Sequence, residues 1–170
     1  MELINSLCLT AGPHGDGVVT TQAIREGAAL LHIQGALCAA PDRHTIQVAD
    51  RVHISGDSRL WAFLNHSCAP NCRLDFSTWT LVAAREIHAD EELTFNYLTT
   101  EWDLAEPFVC ACGSSGCCGV VRGFRHLARR EQERLRPWLS PFLAERLGGP
   151  MARASAGRMQ ETLVLDAPAS

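Results

Sequence analysis

Short apolar runs separated by turn residues dominate the N-terminal part of the chain. Runs of about four to eight residues rich in β-branched and aromatic side chains, bounded by glycine, proline or aspartate, are typical of strands. This pattern predicts strands over 3–10, 18–20, 28–34, 45–48, 52–54, 78–84 and 92–97, with a polar turn over 12–17 and a brief apolar run at 60–64. Because little of this region has helical periodicity, we expect a mostly β fold.

The pattern changes after Gly119, where apolar residues recur at helical spacing among arginine and glutamate. Ser140 followed by Pro141 has the residue types of an N-cap and a first helical position, which predicts two helices broken near 137–141. Residues 151–170 are rich in alanine, serine, arginine and glycine, and we expect a largely disordered tail.

Composition narrows the classes of function. A chain of 170 residues with 46% hydrophobic content suits one compact domain, and a net charge of −4 argues against direct nucleic-acid binding while suiting a cationic partner. The sequence has neither a long apolar run for a membrane span nor a secretory signal, so a cytoplasmic location is expected. In that setting eight cysteines indicate metal ligation plus buried thiols, with disulfides as the alternative. Lysine is absent, so the protein cannot modify a lysine side chain of its own.

Three cysteines are spaced for metal binding in the run Cys110-x-Cys112-x4-Cys117, where Gly113 allows a sharp turn. A closed structural Zn²⁺ site needs four ligands, and Cys68 is the candidate for the fourth. Cys118 is an alternative to Cys117, although the spacing favours Cys117. The remaining thiols, Cys8, Cys38 and Cys72, are interpreted as ordinary buried cysteines.

Asn65-His66-Ser67-Cys68, the strand 92–97 that ends in the sole tyrosine, and the cysteine run follow one another in that order. Together they resemble the SET-domain methyltransferases that carry a post-SET zinc segment. The resemblance covers 12–123 and implies a β-clip-like fold of short strands with knot-like C-terminal threading. It divides the chain into a SET domain (1–109), a post-SET segment (110–122), a helical appendage (123–150) and the tail.

The resemblance implies S-adenosyl-L-methionine as the cofactor and structural Zn²⁺ that pins the C-terminal loop over the cofactor and substrate channel. It places cofactor contacts on Gly15, Asp16, Gly17, Val18, Asn65, His66 and Tyr97. It assigns catalysis to Tyr97 and the substrate channel to Phe95, Trp61 and Phe108, with Trp79 and Trp102 as further candidate walls. Phe95 stands where relatives help to set the number of methyl groups, which favours multiple methylation. Two departures are Ala62 in place of an arginine and Ile33-Gln34-Gly35 in place of Tyr-x-Gly.

Three functional hypotheses follow. The first is methylation of lysine side chains in a basic protein or peptide. The acidic residues Glu101, Asp103 and Glu106 would attract such a cationic acceptor to the mouth of the channel, unless they belong only to a solvated loop. The second is methylation of a small-molecule amine or free amino acid, because lysine-methylating relatives commonly line their channel with several tyrosines and this chain has one. The third is an inactive, zinc-stabilised binding module. The C-terminal helices either pack on the domain or form a homodimer.

Overall fold

The computed structural model describes residues 6–12 and 15–148. Short strands fill most of this part of the chain, which confirms the predicted mostly β class. The strands are β1 (Leu7–Gly12), β2 (Gly15–Thr20), β3 (Ala29–His32), β4 (Leu37–Cys38), β5 (Thr45–Ala49), β6 (Val52–Ser55), β7 (Asn65–His66), β8 (Cys72–Asp75), β9 (Thr80–Ala83), β10 (Thr94–Phe95), β11 (Phe108–Val109) and β12 (Val120–Val121). The helices α1 (Arg129–Leu135) and α2 (Pro141–Arg146) follow.

The strands form several small sheets. β3, β9 and β8 are antiparallel neighbours, as are β4, β6 and β5, while β1–β2 and β11–β12 are antiparallel hairpins. β7 and β10 are different because they pair in parallel, with Asn65 opposite Thr94 and His66 opposite Phe95. This parallel pair joins two motifs that are distant in sequence, and it places Tyr97 directly beyond the paired residues.

Two apolar clusters stabilise the fold. The larger one lies among the sheets and contains fully buried side chains such as Val18, Leu30 and Leu81. The smaller one joins the C-terminal helices to the domain through Leu98, Val121, Phe124, Leu135, Leu139, Leu143 and Leu147. Each fully buried side chain of this size contributes roughly 1.5–3 kcal/mol, so the helices pack firmly on the domain. Tyr97 contacts both clusters and is held between them.

The break between the two helices follows the prediction. A 3-10 turn, Arg136–Trp138, separates α1 from α2. Ser140 Oγ accepts a hydrogen bond from the Leu143 N–H at 3.3 Å, as expected of an N-cap. The Ser140 N–H donates to the Thr99 carbonyl at 2.8 Å, which ties the start of α2 to the segment just after Tyr97.

Three local predictions need correction. The run at 60–64 forms a 3-10 turn, Leu60–Phe63, because periodicity alone cannot separate a short apolar strand from a helical turn. The strand predicted over 92–97 is reduced to Thr94–Phe95, since Asn96 accepts from the Leu98 N–H at 3.0 Å and caps the 3-10 turn Tyr97–Thr99. β2 begins at Gly15, earlier than predicted. Residues 3–5 of the first predicted strand and the tail 151–170 lie outside the described residues.

α1 and α2, like the other helical segments between residues 15 and 148, are too short to cross a membrane. All eight cysteines fall within the described ranges, and each is a free thiol. The described structure therefore agrees with the expectation that the cysteines are metal ligands and unpaired thiols, and not disulfide partners. Cys72 is buried as predicted, whereas Cys38 is half-buried and Cys8 is exposed because its strand, β1, presents most of its residues to solvent.

Candidate functional site

A cavity of about 640 Å³ lies between the strand domain and the cysteine segment. It falls within the range of about 300–1,000 Å³ typical of ligand sites. The predicted channel residues Phe95, Trp61 and Phe108 all line it, together with Tyr97 and His66. The structure therefore brings these sequence-predicted residues to one place.

Tyr97 is the centre of an aromatic group in this cavity. Its ring centroid lies 4.9 Å from that of Phe95, 5.2 Å from His66 and 6.2 Å from Phe108. The Tyr97 hydroxyl donates to the Leu64 carbonyl at 2.6 Å. Burial raises the pKa of the Tyr97 hydroxyl well above its ordinary value, so it remains a neutral phenol at physiological pH. With its proton directed to Leu64, the oxygen still has lone pairs that accept hydrogen bonds.

His66 connects the tyrosine to the cysteine cluster. Its Nδ1 accepts from the Tyr97 backbone N–H at 3.2 Å, which places the ring proton on Nε2. Nε2 lies 3.4 Å from Cys68 Sγ, so the imidazole is oriented to donate to that sulfur. Burial lowers the pKa of His66 to about 4, and the ring is neutral. His66 thus fixes the orientation of Cys68, a candidate metal ligand, through this hydrogen bond.

The predicted cofactor residues also converge. Asn65 Nδ2 donates to the Asp16 carbonyl at 3.2 Å and to Glu92 Oε1 at 2.7 Å. A second cavity of about 250 Å³ is lined by Gly15, Asp16 and Asn65, and it shares Asn65 and Leu64 with the larger one. The glycine-rich strand and the Asn65 turn therefore meet at adjoining cavities. Val18 is fully buried in the larger core, so its side chain packs against the domain interior and lines neither cavity.

Gly17 provides a test of whether this surface fits the donor. A Cβ at Gly17 would overlap the Glu92 carboxylate and approach Asn65 Nδ2 to 3.1 Å. Gly17 is itself buried, so a side chain there would displace Glu92 from its hydrogen bond with Asn65, whereas the neighbouring Gly15 and Asp16 are exposed to a ligand. The surface fits the amino-acid and adenosine groups of S-adenosylmethionine, which need exposed backbone and an amide partner.

We predict that Gly17→Ala folds but binds the donor about 10-fold more weakly, equivalent to about 1.4 kcal/mol. The flexible Glu92 side chain can move away from the new methyl group, so the cost falls on the Asn65 contact and spares the core. Calorimetric titration with S-adenosylhomocysteine measures the affinity, and thermal unfolding checks stability. Unchanged affinity would remove Gly17 from the donor site.

Four thiols form the candidate metal site. The sulfur atoms of Cys68, Cys110, Cys112 and Cys117 all lie within 4.8 Å of one another. Burial raises the pKa of Cys110 to about 11 and that of Cys68 further, whereas hydrogen bonds from Ser114 lower the pKa of Cys112 to about 5. Burial thus disfavours the thiolate forms of Cys68 and Cys110, which a bound cation would favour. Four cysteine sulfurs at these separations fit tetrahedral Zn²⁺.

Cys118 occupies a second position close to the same sulfur. Its Sγ lies 3.6 Å from Cys68 Sγ, and His66, Cys68 and Cys118 form an overlapping three-residue group. Cys118 Sγ also points towards the Val120 carbonyl at 3.7 Å. The four-cysteine group offers the four sulfurs that a closed Zn²⁺ site needs, whereas the group with Cys118 offers three ligands, so the assignment of Cys117 stays the prediction.

Several residues of the cavity were missed or misjudged from sequence. Arg43 and His44 line both cavities, yet they lie in a loop whose composition gives no signal. Glu101 lines the larger cavity and is buried, although its acidic neighbourhood resembles a solvated loop. Glu106 also lines the cavity.

Other candidates belong elsewhere. Asp103 pairs with Arg125 at 2.9 Å and with His126 at 2.8 Å, so its charge is used in a surface cluster. Trp102 packs against Phe124 in the smaller core, with a centroid distance of 6.3 Å. Trp79 packs on Phe76 in the larger core. Trp79 and Trp102 therefore do not line the channel, because the two cores cover them.

The fold and these motifs define a class, which comparisons with known proteins establish. Residues 15–98 match the family model described as the SET domain. The methyltransferase flvH of Aspergillus flavus is 32% identical over 142 residues, which is 82% of this chain and 78% of that protein. The chain belongs to the SET-domain family of methyltransferases, whose methyl donor is S-adenosylmethionine.

Other relatives are larger proteins. The H3 lysine-4 specific histone-lysine N-methyltransferase of Emericella nidulans is 45% identical over 66 residues, which is 35% of this chain and 5% of that protein. The H3 lysine-36 specific enzyme of Chaetomium globosum is 42% identical over 72 residues, 38% of this chain and 8% of that protein. The chain thus spans a small fraction of these histone enzymes.

The fold has a counterpart among solved structures. The crystal structure of KRYPTONITE in complex with mCHG DNA and SAH has a TM-score of 0.57 and 23% sequence identity. The match covers 71% of this chain and 30% of that one. At this identity the likeness concerns the fold alone.

Proposed function

We propose that this protein is an S-adenosylmethionine-dependent N-methyltransferase that modifies lysine side chains of a basic protein or peptide. The observation that carries the proposal is the placement of the Tyr97 hydroxyl among Phe95, Phe108 and Trp61 in one cavity. Aromatic faces suit the methylene stem and the cationic head of a lysine. The lysine-specific relatives and the net charge of −4 support a basic acceptor.

Each residue has a role in this proposal. S-adenosylmethionine, when bound, supplies the methyl group as a sulfonium. Asn65 and the backbone of Gly15–Gly17 would hold the donor, and the Tyr97 oxygen would accept from the acceptor N–H and so orient its lone pair. The aromatic walls would shield the reacting groups from water, and fixed geometry of this kind accounts for a large part of the rate.

A small-molecule amine or free amino acid is the second candidate. The observation that favours it is the buried carboxylate of Glu101 in a cavity of small-ligand size. Such a carboxylate recognises an ammonium group without requiring the rest of a peptide.

The expected location of the protein is the cytoplasm. We also expect that the C-terminal helices, which expose Trp138, form a homodimer, and light scattering tests this expectation.

An acceptor panel tests the proposed function. The purified protein is incubated with labelled donor and histones, lysine-containing peptides, the same peptides with arginine at every lysine, or free diamines and amino acids. We expect S-adenosylhomocysteine release with the lysine peptides and methylation mapped to the lysine side-chain nitrogen by mass spectrometry. Because the chain lacks lysine, its own side chains add no lysine background. Turnover with free amines alone would favour the second candidate, and no turnover with any acceptor would refute both.

A further inference from the structure

Glu101 is a buried acidic group at an unexpected place. Its side chain is 6% exposed, and it lines the same cavity as Tyr97. The Glu101 backbone N–H donates to the Tyr97 carbonyl at 2.9 Å, so the two residues are one helical turn apart. Glu101 and the tyrosine proposed for catalysis therefore line one cavity from neighbouring positions of the chain.

The hydrogen bonds of Glu101 fix its position but do not neutralise it. Glu101 Oε1 accepts from the Gln47 backbone N–H at 3.0 Å, and Gln47 Oε1 accepts from the Trp102 N–H at 2.9 Å. This reciprocal pair clamps β5 to the segment after Tyr97. Among residues 6–12 and 15–148, no arginine or histidine forms an ion pair with Glu101. A buried carboxylate without a cation is costly, and it is suited to a cationic ligand.

The other charged groups around the cavity form no ion pair with Glu101 in the described chain, so its carboxylate is available to a cationic ligand. Burial is the main cause that raises the pKa of Tyr97; the Arg43 charge lowers that pKa, and the Glu101 and Glu92 charges raise it. Arg146 is engaged by Asp50 at 2.6 Å and lies over the Trp102 ring, 4.7 Å from its centroid. The remaining titratable groups that line the cavity are Asp42, His44, His66, Glu92, Glu106, Cys110 and Cys112.

We propose that Glu101 binds the ammonium group of the acceptor and removes one of its protons before methyl transfer. This inference rests on the proposed function, and it applies to lysine and small-amine acceptors alike. The step balances: R–NH₃⁺ and the Glu101 carboxylate give R–NH₂ and the carboxylic acid. The neutral amine then has the lone pair that attack on the donor requires, and Glu101 later loses the proton to water.

The titration of Glu101 suits this role. Burial raises its pKa to about 7, while the Gln47 N–H and Thr100 pull in the opposite direction. A general base is most effective when its pKa lies near the working pH. The acceptor ammonium, with an ordinary pKa of about 10.4 for lysine, is otherwise almost fully protonated at neutral pH.

The pH dependence of kcat/KM tests the inference. In the wild type we expect kcat/KM to rise through pH 7, as Glu101 ionises, and then to level off. Glu101→Gln keeps an oxygen that accepts from the Gln47 N–H, so the clamp survives. We expect this variant to be about 100-fold slower at pH 8, to lack the rise near pH 7, and to recover towards about pH 10 as the free amine forms.

Two further variants make the test decisive. Glu26→Gln removes an exposed carboxylate far along the chain and should leave the profile unchanged. Glu101→Asp keeps a carboxylate but draws it back, so the rise near pH 7 should remain with a lower plateau. If Glu101→Gln fails to fold, the Asp variant decides alone, since an unchanged plateau would contradict a contact with the acceptor.

The outcomes separate this inference from the proposed function. An active wild type whose profile is matched by Glu101→Gln overturns the role of Glu101 and leaves the methyltransferase assignment intact. A wild type that turns over no amine acceptor, while still binding S-adenosylhomocysteine, overturns the proposed function itself. A flattened profile with unchanged affinity for S-adenosylhomocysteine supports both.

Discussion

Tyr97→Phe should reduce methyl transfer about 1,000-fold while leaving the fold and donor binding nearly unchanged. The substitution removes one buried hydroxyl and keeps the ring that packs against both apolar clusters. Removing a fixed polar group from a transition state costs about 100- to 1,000-fold. We expect the upper end because the hydroxyl is held by the Leu64 carbonyl at 2.6 Å and needs no reorganisation.

Single-turnover assays with saturating donor and acceptor measure this effect, and calorimetry with S-adenosylhomocysteine checks the donor site. The loss should be nearly the same from pH 7 to pH 9, because burial keeps Tyr97 protonated over that range. In this respect Tyr97→Phe differs from Glu101→Gln, whose deficit should shrink as pH rises. A Tyr97→Phe variant with wild-type turnover would show that the aromatic cavity is not the place of methyl transfer.

The features that sequence predicts well depend on short spacing. Cys110, Cys112 and Cys117 must lie close together because few residues separate them, and a structural zinc needs a fourth ligand. Asn65 and Phe95 belong to two sequence motifs, and the residues of these motifs pair with each other in β7 and β10. In these cases local sequence determines local geometry, and the family resemblance supplies the long-range partner.

The features that sequence misses depend on distant packing. Glu101 becomes buried because β5 approaches it and Gln47 donates to it across 54 residues. Trp79 and Trp102 have the composition of channel walls, but each is taken up by a core. Tyr97 ends no strand, because the Asn96 cap starts a 3-10 turn there. Such outcomes follow from tertiary contacts that overrule local propensity.

The candidate zinc site gives the other large expected effect. Cys117→Ser should weaken Zn²⁺ binding roughly 1,000-fold, because it replaces one of four thiolate ligands with a hydroxyl that binds zinc poorly. Methyl transfer should fall with it. Cys68 belongs to the strand domain, whereas Cys110, Cys112 and Cys117 belong to the segment that follows Tyr97. A metal bound by all four would therefore hold that segment, which includes the channel residue Phe108, against the cavity.

Cys118→Ser is the matched control, since it makes the same chemical change one residue away. Its sulfur is 3.6 Å from Cys68 Sγ but lies outside the four-thiol group. Zinc content by mass spectrometry, thermal unfolding and turnover should all remain close to wild type in this variant and fall in Cys117→Ser. If zinc content and turnover fell in Cys118→Ser and not in Cys117→Ser, the ligands would be His66, Cys68 and Cys118. The segment after Tyr97 would then be held by its own packing. The β11–β12 hairpin packs on the domain through Phe108 and the fully buried Val121 but leaves 78% of Val109 exposed, so a bound metal would add a second restraint on this segment.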